Sequence, residues 1–452
     1  MNAESFSHKL LAAGKRFGYA DMELYYERVK TFGCQLFQGE IDNYTSSEVS
    51  GLSFRGVFEG KMGYAFTEKI AEDSIPFLLE NARENALIIE DEESEDIYSG
   101  SERYREQTYY SSELQQVSIQ DQVRFLLDIE RLILAYDERV TGTNYCMLQS
   151  SEKERTILNS KGLDLKDLQN SLTLYISVIV KSGDETKTGT FVKITRDFHS
   201  LYPEDIAKLA AEEALRQLGS QSIRSKAYPV LLRNDMAAAL IQTFSPIFSA
   251  ENTQRGHSRL QDKVGASIGV SALNIVDDPT LPEGIYSRNF DGEGFATQRL
   301  QIVQNGMLLS LLHNRKTAKK DNTETTGHAH KSSYKGTVTV APSNLYVEPA
   351  ARGYEELVSS MEEGVIITHL SGLHSGANMI SGDFSLAAKG YYVEKGQIQS
   401  PVNQMTIAGN FYDILHSIQA VGSDLEFTYP MAASGYIGSP SLLIKALSVT
   451  VE

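Results

Sequence analysis

Two cysteines in 452 residues, Cys34 and Cys146, are too few for a disulfide framework or a multi-cysteine metal site. Each sits inside an apolar strand-like run, where a reduced core thiol is expected. Long apolar runs are missing as well. No stretch approaches the roughly 18 uncharged apolar residues of a spanning helix, and the opening MNAESFSHKLLAAGKRFGYADMELYYE reads as an amphipathic helix running into a strand rather than a signal peptide. A cytoplasmic protein without a membrane partner is the expectation. Positive charge is in deficit, since 42 Lys and Arg against 59 Asp and Glu give a formal net charge of −17. Without a concentrated basic face to set against phosphates, a nucleic-acid partner is not expected. The basic string from Asn314 to Lys320 is flanked by Asp321 and Glu324 and reads as a solvated loop. No GxxxxGK[ST] or GxGxxG phosphate loop occurs, because GEGFA at Gly292 lacks a further glycine and follows no βα pattern. None of Ser434, Ser439 and Ser441 sits in a GxSxG elbow either, so their presence with His416 and Asp424 amounts to a chance co-occurrence.

What is present is an ordinary globular composition, 41% apolar and 22% charged, in a chain long enough for about three structural units. Phe6, Leu10, Leu11 and Phe17 recur at near-helical spacing before a stop at Gly18, and an alternating strand pattern follows from Met22 to Phe37. Two further strands, SSEVSGLSFRGVFEG and KMGYAFT, precede a helix predicted from about Ala71 to Ala86. Six of the seven residues from Glu90 to Asp96 are acidic, and such a self-repelling run reads as a solvated linker. Ser118, three residues before Asp121, marks the start of a helix reaching about Tyr136. Then the first pattern recurs at an offset of 121 residues: QLFQGE faces TILNSKG, GLSFRGV faces LTLYISV, and PEDIAKLAAEEALRQL answers the earlier helix. From about Ala227 the chain turns to short strands with Gly and Asn turns, including hairpins at Gln304-Asn305-Gly306 and Glu394-Lys395-Gly396. The expected fold is α+β: duplicated N-terminal α/β lobes at 1–90 and 105–220, joined by an acidic linker at 91–104, then a large antiparallel, β-rich, barrel-like domain at 221–452.

The string GLHSGANMISGDFSLAAKGYYVEKGQIQSPVNQMTIAGN from Gly372 to Asn410, TTGHAH from Thr325 and GEGFATQRLQIVQNG from Gly292 together resemble the signature region of the TldD/PmbA family. Its PmbA members are also called TldE and were long labelled modulators of DNA gyrase. With the duplicated lobes in the same order, the resemblance covers essentially the whole chain, strongest in the last 150 residues and looser before Gly219.

The resemblance implies a pair of related subunits, in which TldD is a zinc peptidase that degrades small peptides and TldE is its partner in a heterodimer. TldD-like chains carry HExxxH on a helix and a distant cysteine. Two imidazoles and a thiolate would hold zinc with a position left for water, and the glutamate would act as base. Here the corresponding helix is NDMAAALIQTFSPIF, and the six motif positions become Ile241, Gln242, Thr243, Phe244, Ser245 and Pro246. Ile241 and Pro246 have no donor atom, Gln242 is no carboxylate base, and a proline ends or kinks the helix. Pro229 to Glu251 contains neither His nor Cys. The distant cysteine falls near Met431 to Ser434, where only a thioether or hydroxyl is on offer.

The chain therefore looks like the PmbA/TldE side of the pair, with no catalytic residue, metal or cofactor of its own and zinc expected in a TldD-like partner. Peptides would be the substrates of the complex, with extended substrate pairing to a strand edge. A homodimer of the isolated chain would stand in for the mixed pair. The alternative is an autonomous metallopeptidase with relocated ligands: His328 and His330 would share one face of an extended TGHAH, and His374 or His257 would complete a site. A direct DNA or gyrase regulator is disfavoured by charge. The candidates for peptide or partner contact are Gly327, His328, His374, Ser381, Gly382 and Asp383, with Asp383 expected to cap backbone amides in its turn.

Overall fold

The computed structural model describes residues 2–88, 96–430 and 435–451. The acidic stretch up to Glu95 and the segment Met431 to Ser434 lie outside the described residues. The chain opens with helix α1 (Ala3–Phe17), whose first turn is capped by Asn2 accepting from the Ser5 amide and whose end is a left-handed Gly18 with φ 112°. Strands β1 (Met22–Phe37), β2 (Glu40–Phe58) and β3 (Lys61–Thr67) form a meander, and α2 (Ser74–Ile88) covers it. After the short α3 (Ser112–Gln116) the order repeats: α4 (Ile119–Leu134), β4 (Val140–Asn159), β5 (Asp164–Ser182), β6 (Glu185–Thr195) and α5 (Pro203–Leu215). Ser118 caps α4 as expected, accepting from the Asp121 amide.

The duplication has a consequence that periodicity does not reveal. β1 and β4 pair antiparallel from Glu23 opposite Asn159 to Leu36 opposite Cys146, so both lobes share one six-stranded sheet in the order β3-β2-β1-β4-β5-β6. Corresponding glycines let each covering helix approach its edge strand. A Cβ on Gly63 of β3 would collide with the backbone carbonyl of Ala82 in α2, and one on Gly189 of β6 would collide with the backbone of Ala214 in α5. Cys34 and Cys146 are free and buried in this sheet. β2 begins six residues earlier than the sequence pattern suggests, because its first half is paired to β1 yet solvent-exposed and therefore lacks alternation.

The C-terminal part contains a closed barrel. β7 (Lys226–Leu232) lies between Glu363–Ser371 and Leu442–Val451; Asp383–Glu394 and Gln397–Asn410 complete the ring, the latter pairing back onto Leu442–Val451. Most pairings are antiparallel, but β7 and Glu363–Ser371 run parallel, as a long intervening segment permits. Both predicted hairpins form, with Asn305 and Gly306 at φ 50° and 76° and Lys395 and Gly396 at 51° and 71°. Helix α6 (Asn234–Phe244) packs its Leu240, Ile241 and Phe244 into the largest core.

The two halves are fastened by polar contacts made by the segment from Pro282 to Tyr334. Arg155 on β4 donates to the Phe290 carbonyl at 2.8 Å, Gln169 on β5 to that of Ser287 at 2.7 Å, and Lys331 to Ser53 Oγ on β2 at 2.7 Å. Tyr25, Ile157, Leu163, Phe290 and Tyr334 form a small apolar cluster across the same boundary.

Candidate functional site

A cleft of about 720 Å³ lies between β5, β6 and α5 on one side and α6 with the barrel strand Glu363–Ser371 on the other. Gln242 opens onto it, so the helix position that family resemblance assigns to a glutamate base does border a substrate-sized groove. The surrounding residues do not suit a metal. Ile241 and Phe244 are buried in the core, Gln242 donates from Nε2 to the Tyr429 carbonyl at 3.3 Å, and Ser245 Oγ donates back to the Gln242 carbonyl at 2.9 Å. Pro246 stands in a turn of 3-10 helix, Ser245–Phe248, immediately after α6 stops. Among the described residues no group of three or more His, Cys, Asp or Glu side chains is placed to hold a metal ion.

The cleft has charges that no motif announced. Arg233, at the start of α6, donates to Glu213 at 2.8 Å, to Asp235 at 2.7 Å and to the Thr368 carbonyl at 3.0 Å, tying α5 to α6 and the barrel. Those carboxylates hold its guanidinium above the usual arginine range in spite of burial. Burial and the neighbouring Lys389 pull His369 down, whereas burial pushes Glu426 up against the opposing pull of Lys193. These groups come from β6, α5, α6 and the residue before it, Glu363–Ser371, Asp383–Glu394 and Glu426–Phe427, which are scattered over more than 200 residues, so no local spacing could reveal them.

TGHAH is divided between two environments. His328 is fully buried; its Nε2 donates to Asp277 Oδ2 at 2.9 Å and its Nδ1 lies 2.8 Å from Thr326 Oγ1, so both ring nitrogens are engaged. Asp277 is further held by the Ser343 amide at 2.8 Å and the Ser343 hydroxyl. Gly327, with φ 77°, is also buried and makes the turn that leads into His328. His330 instead lines a separate polar cavity, where burial and then Arg288, Lys153 and Arg155 hold its imidazole down to about 3. His374 and His257 are exposed on other loops. The structure thus leaves His328 and His330 in different surroundings and does not gather them with His374 or His257.

The loop from Gly372 to Asp383 is shaped by two asparagines rather than by Asp383. Asn378 Oδ1 accepts from the Ile380 and Ser381 amides, each at 3.0 Å, and Asn410 Nδ2 donates to the Ser381 carbonyl and to Asp383 Oδ1, each at 2.8 Å. The backbone-capping role expected of Asp383 belongs to Asn378; Asp383 accepts a side-chain amide instead. Gly382 is buried with φ 81°, where a Cβ would press on Tyr412, while Met379 and Ile380 stand exposed beside it.

The architecture is a duplicated α+β sheet docked on a closed barrel, with a groove between them that Gln242 borders. Models of the PmbA/TldA metallopeptidase match the chain in three consecutive parts: domain 1 over residues 22–86, the central domain over 94–218 and the C-terminal domain over 225–451. The chain belongs to this family. A relative named Metalloprotease PmbA homolog, from Haemophilus influenzae, is 30% identical over 397 residues, 86% of this chain and 84% of its own length. A solved structure from Thermotoga maritima, described as a candidate modulator of a DNA gyrase, is 33% identical with a TM-score of 0.91, covering 99% of this chain and all of that one. TldE from Thermococcus kodakarensis shares the fold, with a TM-score of 0.89 at 21% identity over 98% of this chain and all of that one.

Proposed function

We propose that this chain is the non-catalytic, PmbA/TldE-like subunit of a cytoplasmic metallopeptidase complex, docked on a TldD-like partner that carries the zinc and cleaves peptides. The observation that carries this reading is the content of positions 241–246. An isoleucine and a phenylalanine serve the core, a glutamine bonds to Tyr429, and a proline closes the helix, so the stretch bordering the cleft offers no imidazole, thiolate or carboxylate. The chain's own contribution would be a groove. Its walls include strands β5 and β6, whose backbone and polar side chains suit an extended peptide, and its floor is stiffened by the Arg233 ion pairs.

The test is co-expression with an HExxxH-bearing family member. This chain alone should hydrolyse no peptide and should lose no thermal stability on chelation, whereas the co-purified pair should cleave unfolded peptides in a chelator-sensitive way. Chelator-sensitive hydrolysis by this chain alone, lost on changing His328 and His330 to Ala, would establish the autonomous metallopeptidase instead.

A further inference from the structure

The polar cavity that takes His330 has an unusual charge content for a chain of net charge −17. It measures about 270 Å³, and Lys153, Arg155, Arg288, His330 and Lys331 line it with no carboxylate among the described residues. Two of these cations are neutralised from behind, Lys153 by Glu27 at 2.6 Å and Arg155 by Asp167 at 2.9 Å. The other two basic side chains make no ion pair among the described residues, although Asp167, Asp277 and Asp291 act on Arg288, and Glu23, Glu27 and Glu293 on Lys331, from farther away. Arg288 is only 5% exposed, yet its Nε and Nη2 have no hydrogen-bond partner among the described residues. Lys331, also 5% exposed, donates to Ser53 Oγ and lies over the Tyr25 ring at 4.5 Å, and neither contact supplies a negative charge. His330 Nε2 is likewise without a partner.

Desolvated donors without acceptors are costly, and a charged one more so, so their convergence on one cavity suits it to an anion. A guanidinium offers a planar pair of N–H groups that matches the two oxygens of a carboxylate. The cavity also adjoins the large cleft. Tyr429 lines both, its ring meeting that of Tyr175 at 6.2 Å on the cleft side. A peptide lying in the cleft could thus turn a carboxylate past Tyr429 towards Arg288.

We infer that this cavity is a carboxylate-binding subsite, with Arg288 as the principal recognition group and Lys331 as its support, that anchors a peptide by its C-terminal or acidic side-chain carboxylate. The inference rests on the cleft being peptide-binding, as proposed above, but its test does not need the partner subunit.

Titration calorimetry on the full chain would compare acetyl-tetraalanine with a free carboxylate, the same peptide as its C-terminal amide, and an amide whose last residue is aspartate. The free acid, the aspartyl amide or both should bind at least about thirtyfold more tightly than the plain amide, a change comparable with losing a buried charge partner. Which of the two binds identifies the source of the carboxylate. Arg288→Gln should abolish the preference and Lys331→Met should weaken it, both with folding confirmed by thermal melts. Equal binding of all three peptides, no binding of any, or a preference that survives Arg288→Gln overturns the inference, as does binding of inorganic phosphate alone. Carboxylate preference in a chain that fails to pair with any HExxxH subunit would sink the proposed function and leave this site standing.

Discussion

Arg55 on β2 and Glu293 of the C-terminal domain face each other with Nη1 and Oε1 3.6 Å apart, both side chains buried at the junction of the two halves. Arg55 also donates to Glu23 at 2.7 Å, and Glu293 accepts from the Arg315 amide at 3.0 Å, so the pair belongs to a polar seam rather than to an isolated ion pair. A seam of this kind registers the domains and makes their docking depend on pH.

Glu293 carries the acid side of that dependence. Burial pushes its carboxyl up to about 7 while Arg55 pulls it down and Asp291 adds to the rise. A proton is therefore kept in the folded protein that the unfolded chain releases above about 4.5, and stability should fall as pH rises from 4.5 to about 7 and level off beyond. Glu293→Gln cannot titrate and should remove this slope. Melting temperatures measured across that range would tell, and an unchanged slope in the variant would assign the effect elsewhere.

Lys331 carries the alkaline side. Burial first and then Arg55 hold its ammonium down to about 7, so the unfolded chain binds a proton there that the folded one lacks up to about 10.5. Stability should rise with pH through that window, and Lys331→Met should flatten the rise. Denaturant titrations at its two ends provide the comparison.

His328→Ala leaves Asp277 and Thr326 without a ring partner in a fully buried position, and should cost about 2–4 kcal/mol of stability. Urea unfolding measures the loss. Because Asp277 and Thr326 engage both ring nitrogens, elemental analysis of wild type and variant should give the same metal content.

Gly63→Ala and Gly189→Ala place a methyl group against helix backbone at corresponding points of the two repeats, and each should destabilise by about 1–3 kcal/mol. Gly142→Ala on β4 has no neighbour within 4 Å of the new Cβ and should change stability by less than about 0.5 kcal/mol. A large effect at Gly142, or none at the other two, would contradict the packing argument.

Much of the fold was readable residue by residue. The limits of β1 coincide with its alternating run from Met22 to Phe37, Ser118 caps α4, and both Gly-containing hairpins turn where expected. The candidate site was legible only in part. The sequence shows that Ile241 to Pro246 lack imidazole, thiolate and carboxylate, because donor chemistry belongs to residue type. It does not show that Asn378 rather than Asp383 fastens the 372–383 loop, since both are small polar turn residues and only their partners distinguish them.

Side-chain periodicity and turn chemistry act over a few residues, and so the sequence by itself determined the strands, the helices, their duplication and the absence of imidazole, thiolate and carboxylate from Ile241 to Pro246. Only the tertiary structure decided that β1 and β4 would join two lobes into one sheet, that Gln397–Asn410 would close on Leu442–Val451, and that Arg288, His330 and Lys331 would share a cavity that no carboxylate lines among the described residues. Strand pairing and desolvation depend on which distant segments meet, and no local pattern encodes that meeting.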